Sequence, residues 1–124
     1  MMKALCAVLI LVVGVQAWAG KNLDYKSNGA AMEGYVAEPS GKAGKHPAVL
    51  VVHDWMGLSD HTRGKADELA KMGYVAFAAD IYGKGVRAKD AKEAGGLATK
   101  YKSDIKLLRE RVTAALEVLK KQPG

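Results

Sequence analysis

The sequence predicts an α/β domain built from an N-terminal hairpin, a parallel βαβ unit and a long C-terminal helix. Three observations carry that prediction. Pro47-Ala48-Val49-Leu50-Val51-Val52 is an unbroken apolar run, the pattern of a strand covered on both faces in a parallel sheet. Tyr74-Val75-Ala76-Phe77-Ala78-Ala79-Asp80 is a second such run. Helical spacing fills the stretch between them, so strand, helix and strand recur within roughly 30 residues, the length of a crossover unit.

The elements follow in order. Asn22–Lys26 alternates weakly, Ser27-Asn28-Gly29 supplies a turn, and Met32–Glu38 returns as a second short strand ending at Pro39-Ser40-Gly41. These two strands pair as an antiparallel hairpin. After the strand Pro47–Val52 comes His53-Asp54-Trp55-Met56-Gly57, then a helix that Ser59 or Asp60 can cap, with Ala66, Leu69 and Ala70 on one face and Gly73 as its stop. Ile81–Ala88 is a Gly-rich loop. From Asp90 the composition is helical, with an interruption expected at Gly95-Gly96. Tyr101, Ile105, Leu108, Val112, Leu116 and Leu119 then recur every three or four residues. That stripe predicts a core-facing helix over Tyr101–Lys121, with Lys106/Glu110 and Glu117/Lys121 on its outer side.

Composition bounds the function. The chain has 124 residues, 49% hydrophobic and 26% charged, which is globular and not disordered. Met1–Gly20 combines a basic start, the apolar run Ala4–Val15 and Ala17-Trp18-Ala19 before Gly20, the pattern of a secretory signal cleaved after Ala19. The apolar run is shorter than the roughly 20 residues a bilayer span needs. The expectation is therefore residues 1–19 as signal and 20–124 as one domain, exported to the periplasm or the medium with no stable membrane anchor. Cleavage would remove Cys6, the single cysteine, so the remaining chain has no disulfide, cysteine metal site or cysteine nucleophile. The net charge of +6 is spread along the chain and aromatic residues are 6%; nucleic-acid binding calls for a clustered basic face with stacking aromatics, so no nucleic-acid partner is expected.

Ligands of open α/β sheets sit at the carboxyl ends of the strands. Two segments occupy such positions here, His53–Gly57 and Asp80–Arg87. Other tempting patterns carry less. Adjacent residues cannot face one another as a triad, so Ser59-Asp60-His61 reads as a cap. Gly83-Lys84-Gly85 has no following phosphate-loop pattern and reads as a turn. His53 reads as a packed strand-end histidine and not as a base.

Two linked motifs carry a family resemblance. His53-Asp54-Trp55-Met56-Gly57 after a buried strand, and Gly73-Tyr74-Val75-Ala76 leading to Ala79-Asp80-Ile81-Tyr82-Gly83, resemble the first half of the dienelactone hydrolase family of α/β-hydrolases. The resemblance implies an incomplete α/β-hydrolase fold. It also implies a carboxylic-ester or lactone hydrolase acting on a small molecule through an acyl-enzyme, with no metal or cofactor. The family's Gly-x-Cys-x-Gly elbow, Asp and His have no counterpart in this sequence, so the chain is expected to be an N-terminal part, inactive alone. Residue by residue, the resemblance places Asp54 where the family has a nucleophile-contacting carboxylate, Trp55 where a backbone N–H joins the oxyanion hole, and Lys84 where an Arg contacts the substrate carboxylate. The alternative is a small exported non-catalytic βαβ domain that binds a ligand or partner.

Overall fold

The computed structural model describes residues 20–40 and 44–124. The expected signal Met1–Ala19 lies outside the described residues. Four strands, β1 (Lys21–Ser27), β2 (Ala30–Ala37), β3 (Ala48–Val52) and β4 (Val75–Ala79), form one sheet in the order β1-β2-β4-β3. The helices are α1 (Asp60–Lys71), α2 (Ala91–Ser103) and α3 (Ile105–Lys120).

The hairpin forms as the sequence predicts. β1 and β2 pair antiparallel, Ser27 opposite Ala30, across Asn28 and Gly29, whose φ values are 48° and 80°. Two positive φ values make the tight turn that matches strand twist, and Asn-Gly is the dipeptide that tolerates them. β3 and β4 run parallel, Ala48 opposite Val75 through Val52 opposite Ala79, joined by α1. The hairpin adds to the other side of β4, with β2 antiparallel to it from Tyr35–Ala78 to Ala37–Ala76.

The two sheet faces are filled differently. On one, Ala37, Ala76 and Ala78 meet Ala66 and Ala70 of α1 together with Tyr35 and Leu58; small side chains on both sides let the helix lie close to the sheet. On the other, Val36, Val75, Phe77 and Ala79 pack against Ala115 and Leu119 of α3 and against Tyr82 and Tyr101. The Phe77 ring, fully buried, sits edge-on to Tyr25 at 5.7 Å between centroids.

Four expectations are corrected. β3 is less buried than its apolar run predicts: Leu50 packs against the α3-side core and Val51 against the α1-side core, but Val49, Leu50 and Val51 are only half-buried and Val52 is 51% exposed, with β4 as the one strand beside it among the described residues. β4, flanked on both edges, is buried throughout. Secondly, α2 runs through Gly95-Gly96 without a break. The cost of each glycine is about 1 kcal/mol; against it stand Asp90 and Glu93 at the N-terminus, accepting from the backbone N–H groups of Glu93 and Lys89, both at 2.9 Å, and buried Ala94 and Tyr101.

Thirdly, the break falls at Asp104, whose carboxylate accepts from Leu107 N–H at 3.0 Å and starts α3. Tyr101 therefore belongs to α2, and the apolar stripe is divided between two helices. Ile105 is 50% exposed and Leu116 38%, so those two leave the core. On its outer face Glu117 pairs with Lys120 at 3.1 Å instead of Lys121. Finally, Ser59 holds the N-cap position of α1, yet its side chain makes no capping hydrogen bond.

Candidate functional site

The carboxyl ends of β3 and β4 emerge side by side, and the loops that follow them enclose a pocket of about 320 Å³. Val52, His53, Asp54 and Trp55 line it from the β3 side and Ile81 and Tyr82 from the β4 side, with Tyr101 and Lys102 of α2 opposite. A larger groove, about 760 Å³, runs between the hairpin turn and the start of α3, past Lys26, Lys106 and Arg109. Size does not decide between them; position does, since the smaller pocket lies where parallel strands deliver their loops.

The segment after β3 is a tight turn. Gly57 N–H donates to the Asp54 carbonyl at 3.2 Å, and Gly57 has a φ of +99°, a conformation that side chains strain. A Cβ there would also stand 3.2 Å from the Val86 carbonyl. The Asp54 carboxylate accepts from Met56 N–H at 2.9 Å, and Ala88 N–H donates to the Met56 carbonyl at 3.0 Å, tying this turn to the Gly-rich loop.

The segment after β4 is held from inside. Asp80, fully buried, accepts from Glu33 N–H at 3.1 Å and Gly83 N–H at 3.0 Å. Tyr25 bridges the Asp80 backbone, accepting from its N–H at 3.1 Å and donating to its carbonyl at 3.2 Å. Arg111 of α3 reaches the Ile81 carbonyl at 3.2 Å.

Tyr82 joins the two loops. Its hydroxyl donates to the Trp55 carbonyl at 3.0 Å. Its ring stacks on Tyr101 at 5.2 Å and meets His53 edge-on at 4.7 Å, while the Tyr101 hydroxyl donates to the Tyr82 carbonyl at 3.2 Å. Burial pushes the Tyr82 phenol pKa up, helped by the nearby Asp54 charge.

The sequence-predicted residues divide between two places. Asp54 and Trp55 line the pocket, with Trp55 50% exposed. Lys84 does not line it. Its ammonium lies 2.7 Å from Asp24 and 3.8 Å from Glu33 on the hairpin, and the bond to Asp24 raises its pKa first of all. The cation that does line the pocket is Lys102. Sequence reasoning gave no role to Tyr82 or Tyr101; Tyr82 stood inside a quoted motif, but nothing in the sequence says that its hydroxyl reaches back across two loops. Among the described residues, no group of three or more His, Cys, Asp or Glu side chains converges as a metal site.

Helices on both faces of the sheet and a pocket at the carboxyl ends of its parallel pair define an α/β fold with its ligand site in the usual place. The dienelactone hydrolase family model matches residues 32–124, and the chain belongs to that family. It is 42% identical over 83 residues to a protein of Aquifex aeolicus (strain VF5) named as a carboxymethylenebutenolidase, a match covering 64% of this chain and 34% of the relative. Its fold is similar to that of m3DLH, with a TM-score of 0.79 and 31% identity over 84% of this chain and 43% of the other. It is also similar to a dienelactone hydrolase-like promiscuous phosphotriesterase from metagenomic libraries, with a TM-score of 0.77 and 33% identity over the same shares. The chain thus spans about a third of the length of that curated relative and less than half of each solved structure.

Proposed function

We propose that this chain supplies the oxyanion-hole side of a carboxylic-ester or lactone hydrolase of the dienelactone hydrolase type, the nucleophile, Asp and His coming from sequence beyond these residues. The observation that carries the reading is the pocket between the β3 and β4 loops, at the carboxyl ends of two parallel strands, in a chain of this family. The Trp55 N–H stabilises the oxyanion that forms when a nucleophile attacks the carbonyl. A main-chain donor serves whatever the side chain is, which suits a position where this chain carries Trp. One such donor contributes about 2.7–4 kcal/mol to the transition state.

Asp54 takes the place of the carboxylate that touches the resting nucleophile. Its exposure and its bond to Met56 N–H leave one oxygen for that contact. Lys84 stands outside the pocket lining, paired with Asp24 at 2.7 Å, so it reaches a substrate carboxylate only by leaving that partner. A Lys presents a point charge where an Arg presents a fork, so it discriminates less by geometry. Export through the segment Met1–Ala19 belongs to the same proposal, and N-terminal sequencing of the exported product is expected to begin at Gly20.

The test is complementation. The chain alone is expected to hydrolyse p-nitrophenyl acetate no faster than buffer. Supplied with a segment carrying a Gly-x-Cys-x-Gly elbow and the later Asp and His, it gains esterase activity. Trp55→Pro, which deletes the N–H, then lowers kcat on the order of 10²–10³-fold. Turnover by the chain alone, or a complemented activity indifferent to Trp55→Pro, overturns the reading.

A further inference from the structure

His53 makes two hydrogen bonds that together fix its protonation state. Its Nε2 lies 3.1 Å from the Ile81 backbone nitrogen, and its Nδ1 lies 2.7 Å from the Asp54 carbonyl. A backbone N–H can only donate and a carbonyl can only accept. Nε2 is therefore the bare, accepting nitrogen and Nδ1 carries the proton. No other tautomer satisfies both partners.

The peptide that His53 grips is the one joining Asp54 to Trp55. In a trans peptide the N–H points opposite to the C=O, and no cis bond occurs among the described residues. Holding the Asp54 carbonyl, which Gly57 N–H also engages, sets the direction of the Trp55 N–H. Tyr82 fixes the next peptide in the same way, through the Trp55 carbonyl.

We propose that His53 is a positioning residue: a neutral imidazole protonated on Nδ1, it ties the β4 loop at Ile81 to the Asp54 carbonyl and so holds the Trp55 N–H in its direction. The role of that N–H in catalysis rests on the function proposed above; the tie itself does not. His53 does not act as a base in this arrangement, because its only free lone pair is occupied by Ile81 N–H.

The arrangement has a pH dependence with a defined sign. Burial lowers the His53 pKa below the ordinary imidazole value. The bond to the Asp54 carbonyl and the charges of Asp80 and Asp54 oppose that shift, and Arg87 adds to it. Tyr82 faces the ring edge-on. Protonation puts a second N–H on Nε2, facing the Ile81 N–H donor, and the tie to the β4 loop opens while Nδ1 keeps its proton. The tie is thus intact above the ordinary imidazole range and is lost as pH falls through the depressed pKa of His53.

Nitrogen-detected NMR of the labelled full chain tests this without substrate. At neutral pH, the His53 ring is expected to give a protonated Nδ1 and a bare Nε2. On acidification, the amide signals of Ile81 and Trp55 are expected to move with the same midpoint as the ring, below the ordinary imidazole value. In His53→Gln, whose side chain offers an amide N–H donor and a carbonyl acceptor but does not titrate, both amides lose that titration while the remaining spectrum is retained. An Nε2-protonated ring, an imidazolium at neutral pH, or a Trp55 amide that ignores His53 titration overturns the proposal. The wild-type titration decides it even if a variant fails to fold. In the complemented esterase, His53→Leu is expected to lower kcat on the order of 10²-fold, the cost of a misplaced group, with KM held and His53→Gln recovering most of it. Absence of esterase activity counts against the hydrolase reading and leaves the tautomer result standing.

Discussion

The loops after β3 and β4 leave the same end of the sheet side by side, each carrying an aspartate within two residues of its strand. Asp80 is fully buried, with both carboxylate oxygens accepting from backbone N–H groups on two different segments. Asp54 is exposed and accepts from one neighbour in its own turn. The difference lies in what flanks the strands. β4 has a strand on each edge and helices over both faces, so water is excluded from its end and every polar group there needs a protein partner. β3 has β4 alone among the described residues, and the groups at its end keep their access to solvent and to a ligand. The same residue type becomes scaffold on one side and site on the other.

The sharpest way to break this contrast is at Asp80. Asp80→Ala strands the N–H groups of Glu33 and Gly83 inside the protein, at about 1–3 kcal/mol each. The expected loss is roughly 2–6 kcal/mol in urea denaturation. A loss no larger than that of Asp54→Ala would erase the distinction.

Next comes Tyr35, whose hydroxyl donates to buried Asp67 at 2.7 Å and ties β2 to α1. Tyr35→Phe leaves a carboxylate oxygen without that donor and is expected to cost about 1.5–3 kcal/mol, read as a lower denaturation midpoint at unchanged slope.

The same closed side predicts a sensitivity to alkali. Burial is the leading cause that raises the phenols of Tyr25 and Tyr35 from 10.0 to about 12. A folded pKa above the unfolded one means the stabilisation is complete below pH 10 and is lost as pH rises through about 12. Thermal unfolding between pH 9 and 12 checks it, and Tyr25→Phe is expected to flatten the decline.

The smallest effects belong to the open side. Asp54→Ala removes one exposed bond and is expected to cost at most about 1 kcal/mol. Val52→Thr, at a half-exposed strand end, is expected to stay within about 0.5 kcal/mol. A loss above 2 kcal/mol at Val52 would show that β3 is covered in solution.

Much of the architecture was legible because it rests on local patterns. Asn28-Gly29 between alternating strands gave the hairpin, and two apolar runs about a crossover apart gave the parallel pair. The same reading misplaced the end of α2. Gly95-Gly96 weakens a helix by propensity, but buried Tyr101 and the Asp90–Glu93 cap outweigh it, and Asp104, a capping residue hidden inside a regular stripe, makes the break. The apolar run of β3 also implies full burial, which this strand does not reach, since such a run reports what a strand tolerates and not what lies along its edge.

The candidate site was legible at Asp54 and Trp55 through their place after a strand, whereas Lys84 turned to the hairpin. Its charge pairs with Asp24, sixty residues earlier, a partner that spacing cannot reveal.

By itself, the order of residues determined the elements, the parallel crossover and the family, because turns, caps and apolar periods act over a few residues at a time. Tertiary structure decided which aspartate is buried, which nitrogen of His53 holds the proton and which loops share a pocket. Those outcomes depend on groups from distant segments competing for the same hydrogen bonds and the same dry space.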